Sequence, residues 1–566
     1  MPGETLSCVG CHEKQNSAPL NRQTLAYARA PSEIEPWHGP ARAFSYPREV
    51  QPVIDKHCIT CHNGQPRPDG KTLADLSGDK KITDFSQVTP GTGGGSGGRF
   101  SVGYAELHRY VRRNGIEGDY HVLTPLEFHA DTTELVQMLQ KGHYGVALSR
   151  EAWERLITWI DLNTPYHGTW TEMGHNPGRQ RQRRLDLAKL YANLDTDPEA
   201  DTQLPPASLG PDEAPPSPAL SSVPEHRTPN TEHLALAGWP FDAAEAQRRQ
   251  AALGVATRSV ELAPGIKLDL VLIPAGEFLM GDPNGLPDEQ PVTRVKIERP
   301  FWIGKLEVSN EQFACFDSSH DSRVEDKNAY QFGIHGYPVN QPKQPVVRLS
   351  WNEAMAFCKW LSEKTGEHFT LPTEAQWEHA CRAGTATPFW FGDLDTDFSK
   401  LANMADAKMR EFASNPYTIY EPLPNATKYD DWIPKETRFN DGALLSTDTA
   451  AYQPNPWGLH NMHGNASEWT RSAYKPYPYR EDDGRNEAIA DWRLPTADLT
   501  TQSEIGNRKW EIAQRRVVRG GSWRDRPYRC TSAYRLAYPW FQKPYNVTFR
   551  VASEAPVRTA VVPASR

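Results

Sequence analysis

The sequence has no long hydrophobic run and no excess of basic residues. None of its 566 residues falls in an apolar stretch approaching the ~18 residues of a membrane span, which excludes a transmembrane helix. The formal net charge is -9, from 62 Lys and Arg against 71 Asp and Glu. Binding to a phosphate backbone needs an excess of cations, so the composition argues against a nucleic-acid-binding protein. An apolar fraction of 38% is typical of globular domains.

Cysteine is also scarce, and its distribution is uneven. The 8 cysteines fall into an early group and a scattered late group: Cys8, Cys11, Cys58 and Cys61, then Cys315, Cys358, Cys381 and Cys530. This distribution predicts two different chemistries and excludes one common disulfide framework. Aromatic residues, in contrast, are abundant, with 17 Trp, 21 Tyr and 19 Phe. They require extensive packing surfaces or flat ligands.

Prolines divide the chain into two parts. The segment 196–234 is proline-rich without apolar periodicity, which predicts a semi-extended linker. Residues 1–195 predict a mainly α domain. Residues 235–556 alternate short apolar runs with Gly, Asn, Asp and Pro segments, which predicts a loop-rich α+β domain, and 557–566 a disordered tail. In the first domain a helix capped by Ser149 would present one apolar face: Trp153, Leu156, Ile157 and Ile160.

One short motif occurs twice in the first domain. It reads Cys-x-x-Cys-His, at Cys8, Cys11 and His12 and again at Cys58, Cys61 and His62. Two thiols at this spacing can form thioethers to one porphyrin, and the adjacent imidazole then reaches the iron. A zinc knuckle or a redox dithiol needs only Cys-x-x-Cys. The histidine present in both copies therefore favours two covalently bound haem c groups.

A six-coordinate haem iron needs a second axial ligand. We predict His143, because it follows the apolar helix Glu134–Gln140 and would point from the end of that helix into a haem pocket. His121 and His129 are the alternatives. The predicted iron ligands are thus His12, His62 and His143.

Covalent haem attachment takes place outside the bacterial cytoplasm, so we expect a periplasmic or extracytoplasmic protein. The first residues, Met1–Ser7, contain neither a basic n-region nor an apolar h-region. We therefore expect that the chain is mature or truncated and that its signal peptide is absent from the given sequence.

The stretch from Gly3 to Trp170 resembles dihaem cytochrome regions of planctomycete-type periplasmic proteins and of hydrazine synthase alpha-like chains. The likeness includes the segments 48–58 and 156–168. Its only chemically specific marks are the two haem motifs. The resemblance implies a dihaem c-type cytochrome domain, and hydrazine chemistry is not carried over.

A series of motifs runs from Leu270 to about Ala552. They are the segments 273–281, 306–310, 345–351, 371–378, 455–458, 464–469 and 519–523. In these motifs the chain resembles the formylglycine-generating enzyme or sulfatase-modifying factor family. The resemblance implies an α+β domain with a variant of the C-type lectin fold.

The same resemblance implies one or two calcium ions. One ion would bind Asn461, Glu468 and the carbonyls of Gly464 and Ala466; a second would bind Asn403, Asp441 and the carbonyls of Met404 and Ala443. Carboxylate, amide and backbone oxygens suit a hard cation. Alternatively, Asn461 and Asp441 are turn residues that bind no ion.

The family oxidises a substrate cysteine with two thiolates, a soft pair suited to Cu(I). Here the first thiol position holds Asp525 and the second holds Cys530. These two residues are the candidate catalytic groups. Because a carboxylate is a hard ligand, the resemblance does not extend to the dithiolate site, and we do not expect formylglycine generation.

Three functions remain open after these observations. The first is electron transfer by a dihaem cytochrome, with a redox partner protein, while the lectin-like domain docks it or binds a ligand. The second is an oxidoreductase with an open haem or a remodelled pocket near Asp525. The third is a recognition module for a glycan, a peptide or a protein. We favour the first, because it requires nothing that the sequence lacks.

Overall fold

The computed structural model describes most of the chain in separate stretches. The described residues are 37–39, 42–66, 72–82, 100–112, 128–169, 172, 177–195, 197, 209, 236–322, 339–410, 434–487 and 515–554. Almost all of the predicted linker, the tail and the first haem motif lie outside them. Within these stretches, no helix is both long and apolar enough to cross a membrane.

The N-terminal part is only partly helical. Its helices are α1 (Gln51–His57), α2 (Val102–Leu107), α3 (Glu134–Gln140), α4 (Arg150–Asp161) and α5 (Pro177–Ala192). Shorter turns of helix are π-helical at Tyr46–Val50 and 3-10 at His108–Tyr110, Ala130–Thr132 and His143–Gly145. Between α1 and α2, the described residues 58–66 and 72–82 form no helix.

Side-chain caps explain where the two central helices of this part begin. The hydroxyl of Thr133 accepts a hydrogen bond from the backbone N–H of Val136, and Ser149 does the same for Ala152. The predicted bounds of α3 and the Ser149 cap of α4 are therefore confirmed. The predicted apolar face of α4 is wrong in part, since Trp159 is buried and Trp153 is only half-buried.

The buried face of α4 turns toward Trp159 because the π-helical turn packs there. Tyr46 lies with its ring centre 5.2 Å from that of Trp159 and 5.9 Å from that of Tyr166. Arg155, also buried on α4, pairs with Glu49 of the same turn. One small aromatic core thus joins the turn to α1 and α4.

In its described residues, the C-terminal domain combines three sheets with four helices. Its strands are β1 (Thr257–Ala263), β2 (Ile266–Ile273), β3 (Gly276–Met280), β4 (Thr293–Ile297), β5 (Phe301–Gly304), β6 (Phe369–Thr370), β7 (Ser467–Ala473), β8 (Arg515–Arg519), β9 (Leu536–Pro539), β10 (Val547–Phe549) and β11 (Ala552–Glu554). Its helices are α6 (Ala243–Ala251), α7 (Asn310–Ala314), α8 (Trp351–Thr365) and α9 (Glu374–Arg382), with 3-10 turns at Pro287–Glu289, Ala407–Met409 and Pro527–Arg529.

The sheets are short and mostly antiparallel. The largest has the strand order β1-β2-β5-β11-β6, the second β10-β7-β8-β9 and the third β3-β4. Among the strands named above, β10 and β7 run parallel and the other pairs are antiparallel. The loop-rich α+β prediction is confirmed, because long irregular segments join these short strands.

Capping boxes fix the starts of α8 and α9 in this domain. Ser350 and Glu353 exchange hydrogen bonds at the start of α8, and Thr373 and Gln376 do so at the start of α9. Both helices bury aromatic residues, among them Phe357 and Trp377. They pack on the sheets and anchor the loops between them.

A buried ion-pair network crosses the core under α9. Arg519 on β8 pairs with Glu374 at 3.0 Å and with Glu378 at 2.7 Å. Arg535 also pairs with Glu374, and all these side chains are fully buried. Because each charge has a partner, the desolvation of this cluster is offset within the domain.

Candidate functional site

The second haem motif forms one turn at the C-terminal end of α1. The N–H of Cys58 donates to Ile54 O at 2.8 Å, and the N–H groups of Cys61 and His62 donate to Cys58 O at 3.2 and 3.0 Å. This turn brings both thiols and the imidazole to one end of α1. Cys58 is half-buried and Cys61 is exposed. Burial, followed by the charges of Cys61 and Asp55, raises the pKa of Cys58 to about 11.

His143 lies against His62. The two imidazole ring centres are 6.1 Å apart, with an angle of 34° between the ring planes. His143 follows α3 through Gly142, whose φ of 93° lies in the left-handed region. That turn redirects the chain and brings a residue 81 positions further along the sequence next to the motif histidine.

Burial favours the neutral form of both imidazoles. The Nδ1–H of His62 donates to Ala74 O at 3.2 Å, which leaves Nε2 free to bind a metal. Burial lowers the pKa of His62, although the bond to Ala74 opposes the shift. Burial, and then the charge of His62, lowers the pKa of His143. Neutral imidazole is the form that ligates a metal ion.

The other histidines of this part have different surroundings. His129 bonds Asp131 at 2.9 Å, with its side chain 41% exposed. His108 donates from Nδ1 to Ala105 O at 2.8 Å, and His38 bonds Glu154 at 2.7 Å. His121, like Cys8, Cys11 and His12, lies outside the described residues. Of the predicted distal ligands within them, only His143 is in ring contact with His62.

In the C-terminal domain, the loop 522–530 holds both candidate catalytic residues. Asp525 accepts hydrogen bonds from the N–H and the hydroxyl of Ser522, at 3.0 and 2.6 Å, and from Arg529 Nε at 2.8 Å. The thiol of Cys530 is fully buried and lies 3.6 Å from the carbonyl of Asp525. Burial raises the pKa of Cys530 well above its usual range. The loop presents neither a thiolate pair nor an accessible thiol.

Helix α3 of the N-terminal part lies against this loop. Arg526 and the hydroxyl of Tyr528 both donate to Glu134, and Arg529 donates to Gln137. Burial alone would raise the pKa of Glu134, but Arg526 and Arg529 outweigh it and hold the pKa below its usual range. The loop is thus part of a contact between the two parts of the chain.

The oxygen donors of one predicted calcium site are adjacent. Asp441 accepts hydrogen bonds from the N–H of Met404 at 3.1 Å and of Ala443 at 2.7 Å. Asn403 donates to Leu445 O at 2.8 Å, while its Oδ1 is buried without a hydrogen-bond partner in the described part of the chain.

The sequence did not indicate Asp406, which lies beside Asp441 and accepts its N–H. Burial, and then the charge of Asp406, raises the pKa of Asp441 to about 7. Burial also raises the pKa of Asp406. When two carboxyl groups share a site, the pKa of one of them is strongly raised unless a cation lies nearby.

The other predicted calcium site has a different arrangement. The carboxylate of Glu468 already has polar partners. It forms an ion pair with Arg550 and accepts a hydrogen bond from Trp377 Nε1 at 2.8 Å. Asn461 donates to Glu307, another residue that the sequence did not single out, at 2.9 Å, and its Oδ1 is buried without a partner among the described atoms. Burial, and then the charge of Glu468, raises the pKa of Glu307 to about 8.

The two remaining donors of that set lie in the same loop. Gly464 donates its N–H to Gly520 O at 2.9 Å, and Ala466 donates to Glu307 at 3.2 Å. Gly464 has a φ of 76°, and an added Cβ would lie 2.0 Å from Asn403 O. This close approach packs the two predicted calcium loops together and requires glycine.

The described cysteines are unpaired thiols. Cys358 is buried in α8, and Cys381 is buried with its sulfur 3.6 Å from Nε2 of His463. Burial raises the pKa of Cys381 to about 12 and lowers that of His463 to about 3. This pair is therefore an inert core contact. In the described stretches, no group of three or more His, Cys, Asp or Glu residues has metal-binding geometry.

A family model for the sulfatase-modifying factor enzyme 1-like domain matches residues 261–555, which is more than half of the chain. The chain belongs to the sulfatase-modifying factor enzyme family. The match covers all the strands from β2 to β11 and the loop that contains Asp525 and Cys530. It begins after α6, so the N-terminal part lies outside the family domain.

Active and inactive members of this family resemble the chain to the same degree. The formylglycine-generating enzyme of Bos taurus is 27% identical over 337 residues, covering 52% of this chain and 75% of the relative. The inactive C-alpha-formylglycine-generating enzyme 2 of Bos taurus is 27% identical over 284 residues, covering 43% and 81%. Among solved structures, PvdO from Pseudomonas aeruginosa is 23% identical, with 53% and 98% coverage and a TM-score of 0.37.

Proposed function

We propose that this protein is an electron-transfer dihaem c-type cytochrome whose sulfatase-modifying factor domain acts as a docking platform. The observation that carries the proposal is the pairing of His62 with His143 beside the thiols of Cys58 and Cys61. A motif histidine and a distant histidine meet without any polar bond between their rings that would explain the contact.

The spacing of the two rings fits a haem iron between them. Two metal–imidazole bonds of about 2 Å, with about 1 Å from each ring nitrogen to its ring centre, give a separation of about 6 Å between centres. The observed separation is 6.1 Å. Cys58 and Cys61 would hold the porphyrin covalently, His62 would be the proximal ligand and His143 the distal ligand. The haem, when bound, supplies a one-electron couple.

Two protein ligands favour electron transfer over catalysis at this iron. With His62 and His143 both bound, no coordination position is open to a substrate. The Nδ1–H of His62 is fixed by Ala74 O, which sets the ring orientation. Cys8, Cys11 and His12 would hold the first haem in the same way. A redox partner protein would exchange electrons with this part of the chain.

The residues of the C-terminal domain do not fit a Cu(I) dithiolate. Asp525 uses both of its oxygens for Ser522 and Arg529, and Cys530 is buried with a raised pKa. A soft metal ion prefers two accessible thiolates. We therefore derive no formylglycine chemistry from this loop, and the domain serves in docking or ligand binding, with a glycan or peptide as the alternative ligand.

A calcium ion fits best beside Asp441. The unpartnered oxygen of Asn403 and the adjacent carboxyl groups of Asp406 and Asp441 supply hard donors, to which the carbonyls of Met404 and Ala443 would add. At the other predicted site, Glu468 is neutralised by Arg550, so we propose no ion there. The ion would stiffen loops that lack a ladder of backbone hydrogen bonds.

Covalent attachment of haem requires maturation outside the cytoplasm, so we propose a periplasmic or extracytoplasmic location. The decisive experiment is the visible spectrum of the reduced holoprotein, matured in a haem-attaching periplasm, with and without carbon monoxide. We expect a low-spin haem at the second motif whose visible spectrum does not change when carbon monoxide is added. A covalently attached haem that binds carbon monoxide at this motif would favour an enzyme instead.

The variant His143→Ala should open the iron of the second haem, giving a Soret shift with carbon monoxide, because one axial ligand is lost. The matched control is His129→Ala, which removes a histidine bonded to Asp131. It should keep the wild-type spectrum. If His129→Ala opens the iron and His143→Ala does not, the assignment of His143 is wrong.

A further inference from the structure

We propose that the loop 522–530 is the docking site for α3 and that, by holding this helix, it positions His143 against His62. The family uses this loop for its thiol chemistry, and here its partner is the N-terminal part of the same chain. The positioning of His143 as an iron ligand rests on the proposed function. The docking of α3 on the loop does not depend on haem.

The first contact lies at the start of α3. The carboxylate of Glu134 accepts hydrogen bonds from Arg526 and from the hydroxyl of Tyr528, the latter at 2.8 Å. The side chains of Glu134 and Arg526 are 15% and 28% exposed, so water only partly screens the pair. Arg526 is adjacent to Asp525, so this contact comes from the position next to the lost thiol.

The second contact lies in the middle of the helix and depends on Asp525. Its carboxylate holds Arg529 through Nε at 2.8 Å, and the same guanidinium donates to Gln137. Gln137 donates in turn to the hydroxyl of Tyr538 at 3.3 Å. A cysteine at 525 would have no carboxylate to orient Arg529, so the contact to Gln137 depends on the aspartate at this position.

A third contact, made outside the loop 522–530 by neighbouring residues of the C-terminal domain, lies at the end of α3, two residues before His143. The ammonium of Lys141 is 3.1 Å from Asp288 and 4.0 Å from the ring centre of Tyr534. Its side chain is 7% exposed. Gly142 then turns the chain with its positive φ, at a point where Pro287 packs beside it. The position of His143 is therefore tied to the C-terminal domain through a turn of two residues.

Without these contacts α3 would not hold a fixed position. The helix has seven residues, and a helix of this length is unstable by itself in water. Axial ligation requires a fixed imidazole, so the supporting contacts decide how firmly His143 is presented. Arg526, Arg529 and Lys141 are thus positioning residues, because they act on the site through α3.

The contact also closes the loop to other ligands. Asp525 is 7% exposed, Arg529 is 4% exposed and Cys530 is fully buried. A substrate peptide would have to displace α3 before it reached the thiol. The same helix therefore accounts for the closed loop and for the position of His143.

A charge reversal of the outer ion pair tests the proposal on the full chain. Glu134→Arg and Arg526→Glu should each place two like charges together, and the double variant should restore an opposite pair. The first measurement is amide exchange of the haem-free protein. We expect exchange at 134–143 to become at least about tenfold faster in each single variant and to return toward the wild-type rate in the double variant.

The second measurement is the carbon monoxide response of the reduced holoprotein. The single variants should show a fraction of open iron that the wild type lacks, and the double variant should lose it. Glu245→Arg is the matched control, because Glu245 pairs with Arg248 within α6 and contacts no residue of α3. It should change neither measurement. If a reversed variant does not fold, the neutral pair Glu134→Gln and Arg526→Gln is measured instead, with smaller shifts in the same direction.

The outcomes separate this inference from the proposed function. A wild-type protein without covalent haem would contradict the proposed function, while the exchange data would still decide whether the loop docks α3. A six-coordinate haem together with unchanged exchange and unchanged gas response in all variants would overturn the docking role of the loop. Faster exchange with an unchanged haem spectrum would overturn the positioning of His143.

Discussion

Both parts of the chain bury paired charges, Arg155 with Glu49 in one and Arg519 with Glu374 in the other, but the frameworks around these charges differ. The C-terminal domain buries paired charges, such as Arg519 with Glu374, inside a framework of sheets and capped helices. The N-terminal part has short helices and one small aromatic core, and two of its histidines meet without a bond that explains their contact. The sheets and capped helices account for the packing of the C-terminal domain, whereas in the N-terminal part the proposed haem would account for the contact between the two histidines.

Disruption of the buried ion network in the C-terminal domain is expected to have the largest effect on stability. Arg519→Met should destabilise the C-terminal domain by about 3–5 kcal/mol, because Glu378 would lose its guanidinium partner on β8 and Glu374 one of its two. Urea unfolding followed by tryptophan fluorescence measures the loss. The control Arg248→Met removes an exposed pair on α6 and should leave the midpoint unchanged. Equal midpoints for both variants would show that the network contributes nothing.

The variant Asp525→Cys places a thiol at the position where the family resemblance implies one, and it tests the contact between the C-terminal loop and α3. Asp525→Cys should give no formylglycine with a Cys-x-Pro-x-Arg peptide and Cu(I), because Cys530 stays buried beneath the loop. It should lower the stability by about 1–3 kcal/mol, since Arg529 loses its carboxylate. Mass spectrometry of the peptide detects an aldehyde, and Asp525→Asn is the control for lost charge. A formylglycine product would show that α3 does not block the loop.

Removal of calcium is expected to have the smallest of the three effects. Chelation with EDTA should lower the Tm of the C-terminal transition by a few degrees. In a domain of this size, that shift corresponds to a loss of about 1–2 kcal/mol in the free energy of unfolding. Asn403→Ala should abolish the difference, whereas Asn461→Ala should retain it, because only the first asparagine belongs to the proposed ion site. A Tm that does not respond to EDTA in the wild type would count against the ion.

Local signals in the sequence predicted the elements whose residues are close together in the chain. The cap at Ser149 and the bounds of α3 were predicted correctly, because caps and helical periodicity act within a few residues. The buried face of α4 was predicted wrongly in part, since Tyr46, more than a hundred positions away, decides which side of the helix is covered. Tertiary packing overrides the local pattern at such positions.

The candidate sites show the same division. Cys58, Cys61 and His62 were predicted from one contiguous motif, and they form one turn. The partners Asp406 and Glu307 were not predicted, because no spacing in the sequence relates Asp406 to the loop of Asp441 or Glu307 to Asn461. Folding buries Asp406 beside Asp441 and Glu307 beside Asn461. Burial then raises the pKa of Asp406 and of Glu307.

The sequence by itself determined the family domain and the single turn formed by Cys58, Cys61 and His62, because each is carried by short motifs of residues adjacent in the chain. Only the tertiary structure decided that His143 lies against His62 and that the loop around Asp525 holds α3. Those contacts join residues up to 394 positions apart. The chain can bring such segments together only by folding, since shape, burial and charge are properties of the packed molecule.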